Sequence, residues 1–390
     1  MKTLYLTILL SIPSVAAHAR DIDSVLQEIE RNNLELQALR SYNRASAFEI
    51  KDQNSLESLS LEYSPFFRSG VSGMASSELV VSQEFDFPTL YMARQKAGKL
   101  QQNALDLEYK SLRRDLLYAG QQKCLDLILL NRLQEVLEER MKNADELLAL
   151  FEKRFKEGDA TALDLNKIRM EQMDLQTEIL QNETSRQKIV QELSVLNGNQ
   201  PLSLDSISYP ETGAELELSG LRNEIAQSDA GIQAAEASVA ASAQEMQIAK
   251  QSRLPGLAVG YRRNTEMAEQ SNGFLIGVSI PIFSNGNKVK AAKHKQIAAQ
   301  QYLEHTRLQV AKEADSQIQE LQRLSQALRI YDPALISRSL ELLKKAVVAG
   351  EMSLIDYYME ADKVYLKRQT YLSVENQYQS LWATLHKNRL

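Results

Sequence analysis

The sequence predicts a mainly α chain with a small β part, built as one unit written twice: helix, β-hairpin, very long helix, return helix. Three observations carry this. At a constant shift of 192 residues Gly158 meets Gly350, Leu163 meets Ile355 and Asp164 meets Asp356, so the two halves are versions of one another. The 390 residues hold only 15 glycines and 8 prolines in a mixture of Ala, Leu, Gln, Glu and Lys that favours helix. Strict apolar/polar alternation occurs in two places only, one per half.

Residues 1–19, MKTLYLTILLSIPSVAAHA, place Lys2 before an apolar run and end in Ala17-His18-Ala19, the pattern of a cleaved signal peptide. The run is broken by Ser11, Pro13 and Ser14 and is too short for a membrane anchor. The mature chain therefore starts near Arg20, outside the cytoplasm, and losing Lys2 takes the formal charge from −6 to −7. That mild acidity argues against nucleic acid as a partner. Cys124 is the single cysteine, so no intrachain disulfide forms; in KCLDLILL it sits on an apolar helical face as a small buried hydrophobe. No apolar stretch after the leader is long enough for a transmembrane helix, which leaves β-strands as the means of spanning a bilayer.

Repeat 1 covers 20–205 and opens with a helix over Ile22–Gln53. A hairpin over about 57–87 follows, then a proline-free helix over about 90–157. There Leu129, Leu133, Leu137, Met141, Ala144, Leu148, Phe151 and Phe155 recur three or four apart. About 65 residues at 1.5 Å each make a rod of roughly 100 Å, far longer than a globular domain needs, so the stripe packs against partner helices as a coiled coil. FKEGDAT turns the chain at Gly158 into a return helix over about 161–197. A glycine- and proline-bearing joint, with a linker at 206–220, leads to repeat 2 over 221–390. Its helix runs over Leu221–Gln251, aligned with the first at a shift of 196, and its hairpin over about 255–283. A long helix over about 288–349 is interrupted near Asp332-Pro333, where an N-cap precedes a proline at the first helical position. The turn at Gly350 and a return helix over about 353–386 complete the unit.

The strand segments carry a specific pattern. Leu59, Leu61 and Tyr63 point opposite to Ser58, Ser60 and Glu62; Leu257, Val259 and Tyr261 oppose Ala258, Gly260 and Arg262; Phe274, Ile276, Val278 and Ile280 oppose Leu275, Gly277 and Ser279. An apolar face toward lipid and a small or polar face toward a lumen is the signature of a membrane barrel strand, and an amphipathic hairpin lying on a soluble core shares it. Four strands cannot enclose a conducting barrel, so a membrane role requires several chains to pool strands.

No catalytic constellation is present. His294, His305 and His386 are scattered on helices without a His or Cys four residues on, and no phosphate-cradling glycine loop occurs. Pairs such as Glu138-Glu139 are solvated coiled-coil faces. Isolated Met352 and Met359 are packing residues, so no metal site and no cofactor are expected.

RFKEGDATALDLNKIRMEQ, KKAVVAGEMSLIDYYMEADKVYLK and VSIPIFSNGNKVKAA, in this order and spacing, resemble the TolC-type outer membrane efflux proteins over nearly the whole mature chain. The resemblance implies a mainly α fold with a membrane β-barrel part: a homotrimer pooling twelve strands into one barrel, with a long α-helical tunnel crossing the periplasm. It implies a passive exit duct in the bacterial outer membrane, working with a periplasmic adaptor (a membrane fusion protein) and an inner membrane pump of the resistance-nodulation-division type. Leu59, Leu61, Tyr63, Leu257, Val259, Tyr261, Phe274, Ile276 and Val278 would face outer membrane lipid. Gly158, Asp159 and Ala160, with Gly350, Glu351 and Met352, would be the periplasmic tips where the adaptor docks. Asp356 stands where the family carries an acid pointing into the narrowed end, and Asp164 is its first-repeat equivalent. The family's second acid is replaced by Met359, with Glu360 or Asp362 nearby. First-turn aspartates also simply complement a helix dipole. A type I protein-secretion conduit, or a periplasmic coiled-coil scaffold without a pore, are the alternatives; the scaffold has no need of alternating hairpins at matching places.

Overall fold

The computed structural model describes residues 21–70, 72–204, 207–211, 218–266, 269–281 and 286–390, so the expected signal peptide and part of the linker lie outside the described residues. The elements are α1 (Ile22–Asn32), α2 (Leu34–Asp52), β1 (Ser60–Phe66), β2 (Ser76–Phe85), α3 (Pro88–Glu157), α4 (Ala162–Leu196), α5 (Leu218–Ser228), α6 (Ala230–Gln251), β3 (Gly256–Glu266), β4 (Glu269–Ser279), α7 (Gly286–Ile330), α8 (Pro333–Ala349) and α9 (Leu354–His386). They fall into two compact units, each drawing on both sequence repeats: one holds residues 21–33, the part of α3 from Ala119, α4, and Leu324–Ala383; the other holds Leu34–Tyr118, α5, α6, the sheet, α7 up to Arg323, and Thr384–Leu390.

Each opening helix, expected to be continuous over Ile22–Gln53 and Leu221–Gln251, is broken. Asn33 adopts extended backbone (φ −65°, ψ 122°) between α1 and α2, and Asp229 does the same (φ −65°, ψ 119°) between α5 and α6. The breaks sit at repeat-equivalent positions, 196 residues apart. The physical reason is local hydrogen bonding that competes with helix. Asn33 is buried and donates from Nδ2 to the carbonyl of Leu196 at 2.8 Å, satisfying an orphan carbonyl at the end of α4. Buried Asp229 accepts from the Ile232 N–H at 3.0 Å and so caps α6.

In the unit that holds the helical turns, α3, α4, α8 and α9 share one core. The seam of α9 runs Leu354, Tyr358, Ala361, Tyr365, Leu372, Gln379 and Ala383, at intervals of three, four or seven residues with all these side chains buried, as a coiled coil requires. Of the expected α3 stripe, Leu137, Ala144 and Phe151 are buried, Leu129, Leu133, Met141 and Leu148 pack at its margin, and Phe155 is exposed. A 3.6-residue turn makes a strict stripe drift around a straight helix. Cys124 is fully buried, and desolvation pushes its thiol up to about 12.

In the other unit the two hairpins join into one antiparallel sheet, ordered β1-β2-β3-β4. Register places Leu61, Val81, Tyr261 and Phe274 in one cross-strand row, with Gln83, Val259 and Ile276 in the next and Phe85, Leu257 and Val278 beyond. Leu59 lies just ahead of β1, outside the strand. This apolar face is the open one: Phe274 is 92% and Ile276 82% exposed, and Leu61, Tyr63, Leu257, Val259, Tyr261 and Val278 are exposed as well. On the other face Glu78 pairs with Arg262 at 2.6 Å. There a Cβ on Gly260 would lie 2.6 Å from the Val81 carbonyl oxygen, so the neighbouring backbone crowds this position and leaves room only for glycine. β1 and β4 are both sheet edges within the described residues.

Candidate functional site

The two glycine turns are built alike, for the same physical reason. Each ends a helix with a left-handed residue: Gly158 has φ +83° and Gly350 φ +77°. In each, the next N–H reaches back five residues to a carbonyl of the last helical turns, Asp159 to Arg154 at 2.8 Å and Glu351 to Ala346 at 3.0 Å. Each following helix starts with a hydroxyl cap and an aspartate three residues on. Asp164 N–H donates to Thr161 Oγ1 at 3.2 Å while Asp164 Oδ2 accepts from the Thr161 N–H at 2.8 Å. Asp356 N–H donates to Ser353 Oγ at 3.1 Å, and the Ser353 hydroxyl donates to Asp356 Oδ2 at 2.6 Å. Both aspartates are thus occupied as capping residues, with Asp356 exposed and Asp164 half-buried. Replacing either glycine by alanine forces a side chain into left-handed backbone and is expected to cost about 1 kcal/mol, read as a lowered melting temperature with unchanged oligomeric state.

The turns lie together. Arg154 of α3 donates to the Val348 carbonyl at the end of α8 at 2.6 Å, and Ala160 and Met352 pack on a core that includes Leu165, Val347, Leu354 and Tyr358. Met359 is 57% exposed, and Glu360 is exposed and held by Lys363 at 2.7 Å. Asp159 is exposed at its tip, as is Glu351.

Sequence reasoning missed a charged cluster behind these turns. Arg140 of α3 lies 2.8 Å from Glu171 of α4 and 2.6 Å from Asp362 of α9, with its guanidinium 4.9 Å from the Tyr365 ring centre. One cation therefore ties three helices. Burial pushes the Glu171 carboxyl above its ordinary range, Arg140 opposes this, and Asp362 reinforces it. Tyr357 and Tyr358 stack edge to face at 5.2 Å, and burial raises both phenols. Lys344 of α8 adds bonds to Asn143 and Glu146 at 2.7 and 2.6 Å. Of the glutamate pair expected on a solvated face, Glu139 bonds Arg368 at 2.6 Å. No cluster of His, Cys, Asp or Glu among the described residues could hold a metal ion, and no described helix is long and apolar enough to cross a membrane.

Residues 221–388 match the family model of the outer membrane efflux protein. Solved structures share the fold over 94% of this chain: a membrane protein from Pseudomonas aeruginosa (19% identity, 89% of that chain, TM-score 0.78), the outer membrane protein VceC from Vibrio cholerae (16%, 95%, 0.73) and the Campylobacter jejuni CmeC outer membrane channel (16%, 85%, 0.71). No curated protein matches the chain.

Proposed function

We infer, on the premise that residues 221–388 form an outer membrane efflux protein domain and that the fold is one found in outer membrane channels, that this protein is the outer membrane channel of an efflux pump. The observation that carries the reading is the sheet: four strands, two open edges, an exposed apolar face and a crowded small or polar face. Lipid covering the apolar face and strands of other copies pairing the edges would satisfy both features at once. Three copies supply twelve strands, enough to enclose a conduit.

Helix surfaces support a homotrimer in the same way. Leu163, Met170, Met173 and Leu180 form an exposed heptad-spaced seam on α4, and Ile355, Met359 and Leu366 one on α9. These are seats for helices of neighbouring copies. The turns at Gly158 and Gly350 are the periplasmic tips, and a periplasmic adaptor linked to an inner membrane pump of the resistance-nodulation-division type docks there. No enzymatic step belongs to this component. Asp356 is the leading candidate for the narrowed end, with Met359 beside it where a second acid would otherwise sit.

Purified protein in planar bilayers is expected to conduct as a trimer. Asp356→Asn, which keeps a side chain able to cap, is expected to reduce cation selectivity severalfold while leaving the melting temperature nearly unchanged. A water-soluble monomer without conductance would overturn the channel reading; unaltered selectivity would remove Asp356 from the aperture.

A further inference from the structure

Charge is distributed unusually where the long helices leave the sheet. β2 ends at Phe85, which registers through Leu257 with Val278 near the end of β4, so α3 and α7 both depart from the same end of the sheet. From Pro88 to Leu105 the chain carries Arg94, Lys96 and Lys99 and no acid; from Gly286 to Leu303 it carries Lys288, Lys290, Lys293 and Lys295 and no acid. Lys288 and Lys290 stand within the first five residues of α7, where the helix dipole favours anions, so helix stability does not explain them. Nor does pairing within the chain account for most of these cations. Arg94 meets Asp86 at 2.6 Å and Lys295 approaches Glu245 at 3.9 Å, while the other five are exposed without an ion pair among the described residues.

Three of the cationic side chains at this level converge on a cavity. A cleft of about 280 Å³ between α2 and α3 is lined by Lys51, Arg94 and Lys99 together with Asn54, Gln95 and Gln102, and by no acidic side chain. Asn54 Oδ1 is shielded from solvent and has no hydrogen-bond partner. Gly98 lets the helices approach, since a Cβ there would lie 2.7 Å from Ile50 Cγ2. Exposed Phe48, Leu56 and Met92 lie on the same two elements and the segment joining α2 to β1.

We propose that this cleft, aided by the lysine run opening α7, holds the phosphodiester headgroups of anionic lipids in the leaflet nearest the helices. The proposal rests on the sheet spanning the membrane. The ammonium and guanidinium groups meet the phosphate, Asn54 Oδ1 accepts from a headgroup hydroxyl, and the flanking apolar side chains meet the upper acyl chain. The free lysines of α7 add the attraction that a basic segment feels at an anionic surface.

The test uses the full-length protein in vesicles of phosphatidylcholine alone and of phosphatidylcholine mixed with phosphatidylglycerol, read by melting temperature and by native mass spectrometry of lipid retained on extraction. Phosphatidylglycerol is expected to raise the melting temperature by several degrees and to be retained severalfold over phosphatidylcholine. Lys51→Gln with Lys99→Gln should abolish most of that preference, Lys290→Gln with Lys293→Gln should weaken it, and Lys51→Arg with Lys99→Arg should keep it. Equal behaviour in both lipids, or full preference in the glutamine variants, overturns the proposal. Inorganic phosphate giving the same shift in detergent would assign the cleft to free anions and overturn it as well. Failure to insert into either vesicle would instead defeat the channel reading on which it rests.

Discussion

Arg140→Ala is expected to destabilise the unit containing the glycine turns by about 3 kcal/mol, because removing one partner of a buried ion pair leaves the other charge uncompensated. Glu171 is the group left behind: its side chain is 9% exposed, against 52% for Asp362, which turns to water at little cost. The loss is read as faster hydrogen exchange in α3, α4 and α9, with the sheet unaffected. The same carboxyl gives a pH signature. A group whose pKa is raised by folding stabilises the fold fully below its unfolded value, ordinarily 4.5, and loses that contribution as pH rises through the folded value. Stability of this unit should therefore decline from about pH 4 toward neutrality, and more steeply in Arg140→Ala, where the opposing cation is gone. Glu171→Gln should flatten the slope. A steeper slope in Glu171→Gln, or an Arg140→Ala protein as stable as the parent, would remove this cluster from the account of what ties α3, α4 and α9 together.

What the sequence revealed and what it hid follow from the range of the interactions concerned. The turns were legible because their chemistry is local: only glycine sits easily at φ +83° or +77°, and Thr161 with Asp164, like Ser353 with Asp356, caps a helix from within one turn. The strands were legible because alternation has a period of two, and the structure exposes the face that alternation marked as lipid-facing. The breaks at Asn33 and Asp229 were not, since the helical periodicity on either side gives no sign of them; Asn33 finds its partner in the Leu196 carbonyl, 163 residues away. Arg140 was hidden for the same reason. Its partners Glu171 and Asp362 stand on two other helices, and nothing near position 140 distinguishes it from the solvated charges around it.

Ile276→Lys is expected to abolish assembly in the outer membrane, while Gly273→Lys, three residues earlier on the opposite face, is tolerated far better. Ile276 sits in the row with Val259 and Gln83, two residues past the midpoint of β4 and 82% exposed, where a bilayer-spanning strand meets the hydrocarbon. A lysine at that depth costs about 2–4 kcal/mol per copy, and a trimer suffers it three times. Gly273 pairs with Arg262, whose other partner is Val80, and a Cβ there would meet nothing within 4 Å, so a lysine extends from the small or polar face into open space. The measurement is the fraction of protein found as a heat-dissociable trimer in outer membrane fractions. A sheet lying on a soluble surface through its apolar face would also suffer from the first substitution, but it would still yield protein in the soluble periplasmic fraction. Recovery of both variants there, with or without trimers, would show that lipid does not cover this face, and with that the reason for pooling strands between copies would fall away.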